Sequence, residues 1–379
     1  MKVIIDDKIP YIKGALESHA DVLYIPGSKT TAEMVKEADA LITRTRTICN
    51  KELLEGSAVK FIATATIGYD HIDTEYCDHA GITWTNAPGC NAKSVEQYIA
   101  SALLTWALER REKLKDKTIG IVGVGNVGSK IERFCRILGM NVLLNDPPRE
   151  RAEGPGIFVP LEALMEKADI ITFHVPLNMA GPDRTFRMGD ENFFTRLHRK
   201  PLVINSCRGE VFTSQAVKDA LKSGKIAGFI ADCWENEPEI DREMMDLAYL
   251  ATPHIAGYSK DGKANGTTMS IRALSRFFNL GIDDWEPSGV ELPESTEILI
   301  DGSRRDEQSI IAEAVLGTYN IETDDELLRD RPGDFEKLRG DYPVRREFPV
   351  YTLKVQHVAE ETIKKLREIG FNVITGFNA

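Results

Sequence analysis

Short apolar runs recur through the first 280 residues: VII at 3–5, ALIT at 40–43, FIATAT at 61–66, TIGIVG at 118–123, NVLLND at 141–146, DIITFHV at 169–175, LVINS at 202–206 and IAGFIAD at 226–232. Helical patterns fill the gaps between them. Strands that alternate with helices pair in parallel and need cover on both faces, so the pattern predicts an α/β chain. Lys93 to Arg111 is apolar-periodic throughout, with nothing to break a helix, and is expected to connect two domains. After Trp285 the pattern changes. Residues 286–379 hold 12 Lys and Arg against 20 Asp and Glu and are entered through PSGVELPE, a linker composition. Their end reads strand, helix, strand, which predicts a folded third module. The expected domains are 1–95 with 257–285, then 96–256, then 286–379.

A length of 379 residues suits two or three domains, and 42% hydrophobic with 28% charged residues excludes a disordered or collagenous chain. The net charge of −12 opposes long-range attraction to nucleic acid or an anionic bilayer, so neither partner is expected. An anionic substrate needs a local basic pocket. No run approaches the roughly 18 apolar residues of a membrane span. Six cysteines (Cys49, Cys77, Cys90, Cys135, Cys207, Cys233) lie scattered without C-x-x-C spacing, and MKVIIDDKIP lacks the plan of a signal peptide. A reducing cytoplasm is expected.

Gly123-Val124-Gly125-Asn126-Val127-Gly128 follows a strand pattern and opens a helix pattern, and the next strand ends at Asp146. Each part has a mechanical use for a dinucleotide: Gly123 for a tight turn, Gly125 for close approach of backbone to a pyrophosphate, Gly128 for packing helix on strand. The helix N-terminus meets the phosphates. Asp146 accepts from the adenosine ribose diol and repels the extra phosphate of NADP, so NAD is the expected cofactor.

Three residues follow further strand patterns: Arg208 in INSCRGE, Glu237 in DCWENEP and His254 in TPHIAGY. The C-terminal edge of a parallel sheet is where such folds bind ligands, so all three are expected at one crevice. Their types suit hydride removal from the hydroxyl-bearing carbon of a 2-hydroxy acid. The hydroxyl proton needs a base near neutral pH, the part of His254. Glu237 fixes its tautomer and raises its affinity for a proton. Arg208 grips a carboxylate or the developing carbonyl oxygen. Taken singly, a surface ion pair or a loop histidine explains each; the set after successive strands is what points to chemistry.

Arg44-Thr45-Arg46 follows ALIT, and two arginines flanking a hydroxyl make a compact site for a dianion, with a solvated charge run as the alternative. Arg345 and Arg346 are further basic groups, candidates for reaching a partner's site. His71, Asp73, Cys77 and His79 cluster without the spacing of a zinc site, so no metal is expected. His174, in a buried-strand pattern, reads as a packed histidine near the cofactor. Cys207 has no base placed for it, and Cys233 and Trp234 read as packing around Asp232.

The stretches GIVGVGNVG, HVPL, INSCRGEV, DCWENEP and TPHIAG resemble the D-isomer-specific 2-hydroxy acid dehydrogenases over about residues 40–280. That resemblance implies two Rossmann-like domains with parallel sheets, one binding NAD and one a flavodoxin-like substrate or lid domain, with Arg208, Glu237 and His254 at the catalytic positions. It places Asp232 at the nicotinamide carboxamide, with Val175, Ser206, Cys207 and Gly257 also at the cofactor. ATIGYDHID at 65–73, NAPGCNAKSVEQY at 86–98, DPPR at 146–149, TFHVPLNMAGPDRTF at 172–186 and TPHIAGYSKDGKANGTT at 252–268 narrow it to a branch acting on 4-phospho-D-erythronate in pyridoxal 5'-phosphate biosynthesis. This branch implies a C-terminal α+β dimerisation domain and hence a homodimer. It also implies Thr45, Thr66 and Tyr258 at the substrate, with the backbone around Ile67 and Gly68 on its carboxylate. Thr45 and Val175 stand where relatives carry Ser and Thr, so at Val175 the backbone must serve NAD. A phosphoglycerate or glyoxylate type enzyme of the same class, and a corepressor on a dehydrogenase fold, remain the competing readings.

Overall fold

The computed structural model describes residues 1–376. Its chain divides into two compact units: Met1–Asn91 with Ser259–Glu291, and Ala92–Tyr258 with Leu292 onward. The C-terminal residues share a unit with Ala92–Tyr258.

In the first unit, β1 (Lys2–Asp6), β2 (Asp21–Ile25), β3 (Ala40–Thr43), β4 (Phe61–Thr64) and β5 (Thr83–Thr85) form a parallel sheet in the order β2-β1-β3-β4-β5. Alternate residues serve its two faces. Val3, Ile5, Ala40, Ile42, Phe61 and Ala63 pack with Ile271 and Leu274 of the helix Lys260–Phe278. Ile4, Leu41 and Ile62 pack with Val35, Leu53 and Cys77. A helix distant in sequence therefore completes the cover of this sheet, with the Phe277 ring 4.9 Å from that of Phe61.

In the second unit, β6 (Thr118–Val122), β7 (Asn141–Asn145), β8 (Ile170–Phe173), β9 (Leu202–Asn205), β10 (Gly228–Ala231) and β11 (Leu250–Ala251) form a parallel sheet ordered β11-β10-β9-β8-β6-β7. Phe158 bridges Leu144 in parallel on the outer side of β7, so a strand reduced to one bridge restores the order of a dinucleotide-binding sheet. One face packs Ile119, Ile121, Ile204 and Ile230 against the helices Ala92–Arg110 and Gly128–Ile137; the other buries Val122, Phe173, Val203 and Phe229.

The helix Ala92–Arg110, expected as a connector, is buried nearly all round. The reason is a second layer: β12 (Glu297–Asp301), β13 (Thr352–Gln356) and β14 (Asn372–Thr375) make a three-stranded parallel sheet, and its helices pack on the far side of that helix. Gln97 donates to Thr318 and to the Arg346 carbonyl, and the Ile321 N–H donates to Ser101. Polar residues on an otherwise apolar helix are thus satisfied by the C-terminal segment.

All eight apolar runs become strands. The pattern does not predict β2, β5 and β12, and it expects the strand before His254, β11, without giving its bounds. β2 and β12 carry exposed positions among their apolar ones, and β5 and β11 have three and two residues. Among the described residues no helix is long and apolar enough to cross a membrane.

Leu103 is fully buried in the layer shared by the two sheets of the second unit. Leu103→Ala is expected to destabilise that unit by about 2–5 kcal/mol, read from denaturant unfolding.

Candidate active site

The loop after β6 is shaped by contacts that leave no room for side chains except at one place. Gly123 has a φ of +86°, and a Cβ on it would lie 2.5 Å from the His174 carbonyl oxygen. A Cβ on Gly128 would lie 2.0 Å from the Gly123 oxygen. Gly125 meets nothing within 4 Å and faces open space, as close approach of a ligand requires. No side chain caps the helix Gly128–Ile137; its Ser129 N–H bonds the Gly125 carbonyl, and its Lys130 and Ile131 N–H groups bond that of Val127. Asp146 accepts from the Val124 N–H at 2.8 Å and caps the next helix through Arg149 N–H. Two of its roughly four acceptor positions remain for a ribose diol. Arg149, the one basic group beside it, is held by Glu153 through two bonds and by the Val124 carbonyl. These residues fit a dinucleotide. Val175 packs over the Gly123 turn.

Arg208, Glu237 and His254 stand in the loops after β9, β10 and β11, three adjacent strands. His254 Nδ1 lies 2.7 Å from Glu237 Oε2, and the Trp234 N–H donates to Glu237 Oε1 at 2.8 Å. Burial pushes the Glu237 carboxyl up, but the hydrogen bond and charge of His254, the Trp234 N–H and the Arg339 charge outweigh it and leave it below the usual range. Glu237 is therefore ionised at neutral pH and only accepts, so in the neutral form of His254 the proton sits on Nδ1 and the lone pair on Nε2. Arg208 donates to its neighbour's carbonyl, Cys207 O, and no carboxylate pairs with it among the described residues. Its loop is tied to that of Glu237: Asn205 donates to the carbonyls of Arg208 and Cys233, and Gly209 lies against the Trp234 backbone.

The profile of the D-isomer specific 2-hydroxyacid dehydrogenases, NAD binding domain, matches residues 93–256, and a domain of unknown function, DUF3410, matches 291–370. The erythronate-4-phosphate dehydrogenase of Bacteroides thetaiotaomicron is 54% identical, over 93% of this chain and 99% of its own length. That of Porphyromonas gingivalis is 41% identical over 98% and 100%. The chain belongs to the erythronate-4-phosphate dehydrogenase family. Its fold is shared by D-lactate dehydrogenase from Aquifex aeolicus, 23% identical, with a TM-score of 0.60 over 77% of this chain and 100% of that one. NAD is the cofactor, and the chain is an oxidoreductase.

In this member of the family the remaining residues named from sequence have definite surroundings. Asp232, expected against the nicotinamide, is 1% exposed and turned inward: it accepts from Thr252 Oγ1 at 2.7 Å, Ile255 N–H at 2.7 Å and Ala256 N–H at 3.0 Å. His174 bonds Thr172 and, at 3.5 Å, Ser206, and burial pushes its pKa down to about 3, so it is neutral. The Cys207 thiol is pushed up to about 11 by burial. Val127 precedes the first turn of the helix and Asn126 the turn before it, while Gly257 adjoins the Asp232-bound loop.

Arg44, Thr45, Arg46 and Thr66 belong to the first unit, at the ends of the neighbouring strands β3 and β4. Arg44 donates to the Lys8 carbonyl, and no carboxylate pairs with Arg44 or Arg46 among the described residues. Thr66 bonds Thr64 and the Gly68 carbonyl, and Asn86 holds the Ile67 carbonyl. Tyr258, in the second unit, lies edge-on to Tyr342 at 5.9 Å with Arg339 5.6 Å over its ring. Arg345, a candidate for reaching a partner, is 3% exposed and donates within its own chain.

The His71 cluster has other uses: His71 bonds Thr64, Asp73 caps the helix Thr74–Ala80, burial pushes Cys77 up to about 11, and His79 bonds the Glu75 carbonyl. Cys233, Glu237 and His254 do bring ligand atoms within 4.8 Å of one another, but burial holds the Cys233 thiol protonated. Sequence reasoning missed Thr252, which bonds Asp232, and Arg339, whose charge favours ionised Glu237, because no motif marks such partners.

Because folded His174 stays neutral, its neutral burial adds stability above its unfolded pKa of about 6.5 that is lost as pH falls toward about 3. His174→Asn is expected to flatten the acid-side fall in the urea midpoint over that window.

Proposed function

We propose that this chain oxidises 4-phospho-D-erythronate to 2-oxo-3-hydroxy-4-phosphobutanoate while NAD is reduced, a step of pyridoxal 5'-phosphate biosynthesis in the cytoplasm. The observation that carries the reading is the 2.7 Å contact between His254 Nδ1 and Glu237, in a chain 54% identical to a named relative over nearly its full length. The phosphate of the substrate is the part that calls for Arg44 and Arg46, two cations without acidic partners in a protein of net charge −12.

His254 Nε2 takes the proton of the C2 hydroxyl, and the Glu237 charge stabilises the imidazolium that forms. NAD, when bound, would supply the acceptor for the hydride that leaves C2. Arg208, with donors to spare, holds the substrate carboxylate or the oxygen that becomes a carbonyl. Gly123, Gly125, Asn126, Val127 and Gly128 hold the pyrophosphate, and Asp146 takes the ribose diol. Val175, Ser206, Cys207 and Gly257 contribute to the cofactor wall, and the inward carboxylate of Asp232 serves it through the loop it holds. Arg44, Thr45 and Arg46 meet the phosphate, and Thr66 and Tyr258 the rest of the substrate. Six free, buried cysteines suit a reducing compartment.

A homodimer through the C-terminal sheet belongs to the same proposal. Parallel sheets are ordinarily covered on both faces. Here Leu299, Lys354 and Ile374 stand in one row across β12, β13 and β14, with Leu299 61% and Ile374 49% exposed. A second copy is the partner proposed for that face.

Ultraviolet monitoring with NAD is expected to show NADH formed from 4-phospho-D-erythronate, and preference for 3-phosphoglycerate would overturn the assignment. His254→Asn is expected to cost about 10²–10⁴ in kcat, and intact turnover would remove its role as base. Arg44→Ala is expected to raise the KM for the phosphorylated substrate and leave that for NAD unchanged. Leu299→Glu with Ile374→Glu is expected to sediment as a monomer.

A further inference from the structure

The loop carrying His254 is gripped from both sides, and one of the two grips comes from the C-terminal segment. His254 has a φ of +54°, a left-handed conformation that a histidine adopts only at some cost. Such a conformation persists where the neighbouring backbone is over-determined. The next two residues are exactly so constrained on all four of their backbone groups. Asp232 takes the N–H groups of Ile255 and Ala256 at 2.7 and 3.0 Å. Arg345 donates to the carbonyls of the same two residues, at 3.3 Å to Ile255 and 2.5 Å to Ala256.

Arg345 is itself fixed. Its Nη2 also donates to the carbonyl and hydroxyl of Ser94, each at 2.9 Å, and its Nη1 to Tyr342 at 3.4 Å. The guanidinium lies 4.3 Å over the Tyr319 ring. Tyr319 and Tyr342 both donate to Asp324 Oδ2, at 2.9 and 2.7 Å, which places an acid behind the two rings. A buried guanidinium is costly without partners; three of the five acceptors here are backbone carbonyls of the histidine loop and of the helix Ala92–Arg110, the other two are the Ser94 and Tyr342 hydroxyls, and Nε is unpaired among the described residues.

We propose that Arg345 is a positioning residue for His254, and that residues 291–370 thereby form part of the active-site framework as well as a module of their own. Asp232 and Arg345 act as opposed clamps: a carboxylate on the N–H side, a guanidinium on the carbonyl side. The inference rests on His254 being the base. It specifies where the imidazole gets its fixed direction toward Glu237, which a lysine ammonium cannot supply because it lacks the planar fork.

Arg345→Lys tests it, with kcat, KM for NAD and the pH dependence of kcat measured together. The expected result is a loss of about 10²-fold in kcat, the scale of a misplaced catalytic group, with KM for NAD unchanged and the ionisation of His254 in the pH profile displaced. Added guanidinium ion is expected to restore part of the kcat of Arg345→Ala. Wild-type kcat and pH profile in Arg345→Lys would overturn the proposal. If Arg345→Lys does not fold, Tyr342→Phe decides: a smaller loss of kcat at constant KM for NAD supports the clamp, and wild-type kcat overturns it. Loss of turnover in His254→Asn alongside intact turnover in the Arg345 variants would reject the clamp and leave the base in place, whereas intact turnover in His254→Asn would reject the base itself.

Discussion

An ionised carboxylate and an imidazole nitrogen held 2.7 Å apart, on loops from two neighbouring strands, is the contact on which the proposed chemistry of this protein depends. Neither side chain can hold the other alone, because each sits at the tip of a segment with no regular structure. The two strands beneath them are in register, Ile230 opposite Leu250 and Ala231 opposite Ala251, so the loops start level with each other. Above that register, Trp234 ties one loop to the other through its indole N–H and the Thr252 carbonyl at 2.9 Å. Thr252 is in turn bonded to Tyr98 of the long buried helix at 2.8 Å. A catalytic geometry in an α/β sheet is thus set by strand register first and by side chains that cross between loops second.

The electrostatics follow from the same placement. Burial disfavours charge at the site, and the Glu237 charge persists through specific partners. Glu237 stays ionised because it accepts from His254 and from a backbone N–H. His174 and the cysteines near the cofactor wall have no such support, and burial leaves them neutral. One imidazole is thereby paired with an ionised carboxylate, while a second, on β8's exit, is neutral and hydrogen-bonded.

Legibility in the sequence divides along the range of the interactions. The glycine turn was readable because its constraints are local: a positive φ at Gly123 and a close approach at Gly128 admit no other residue. Strands buried on both faces were readable as apolar runs, and Arg208, Glu237 and His254 as polar residues following such runs. Asp232 was expected at the nicotinamide carboxamide, and the inward direction it faces was not readable, since its three donors come from residues 252–256 across the sheet. The burial of Ser94, Gln97 and Ser101 in the long helix was not readable, because their partners lie more than two hundred residues away. Arg345 read as a candidate for reaching a partner's site for the same reason.

The state of His254 tests the account most directly. Nitrogen-15 NMR of histidine-labelled protein, with His254→Asn to assign the resonance, reports which ring nitrogen bears the proton in the neutral form. The account requires the proton on Nδ1, bonded to Glu237, and an unprotonated Nε2. A resting Nε2–H tautomer would contradict it, since the ring would then have no lone pair to offer the substrate hydroxyl.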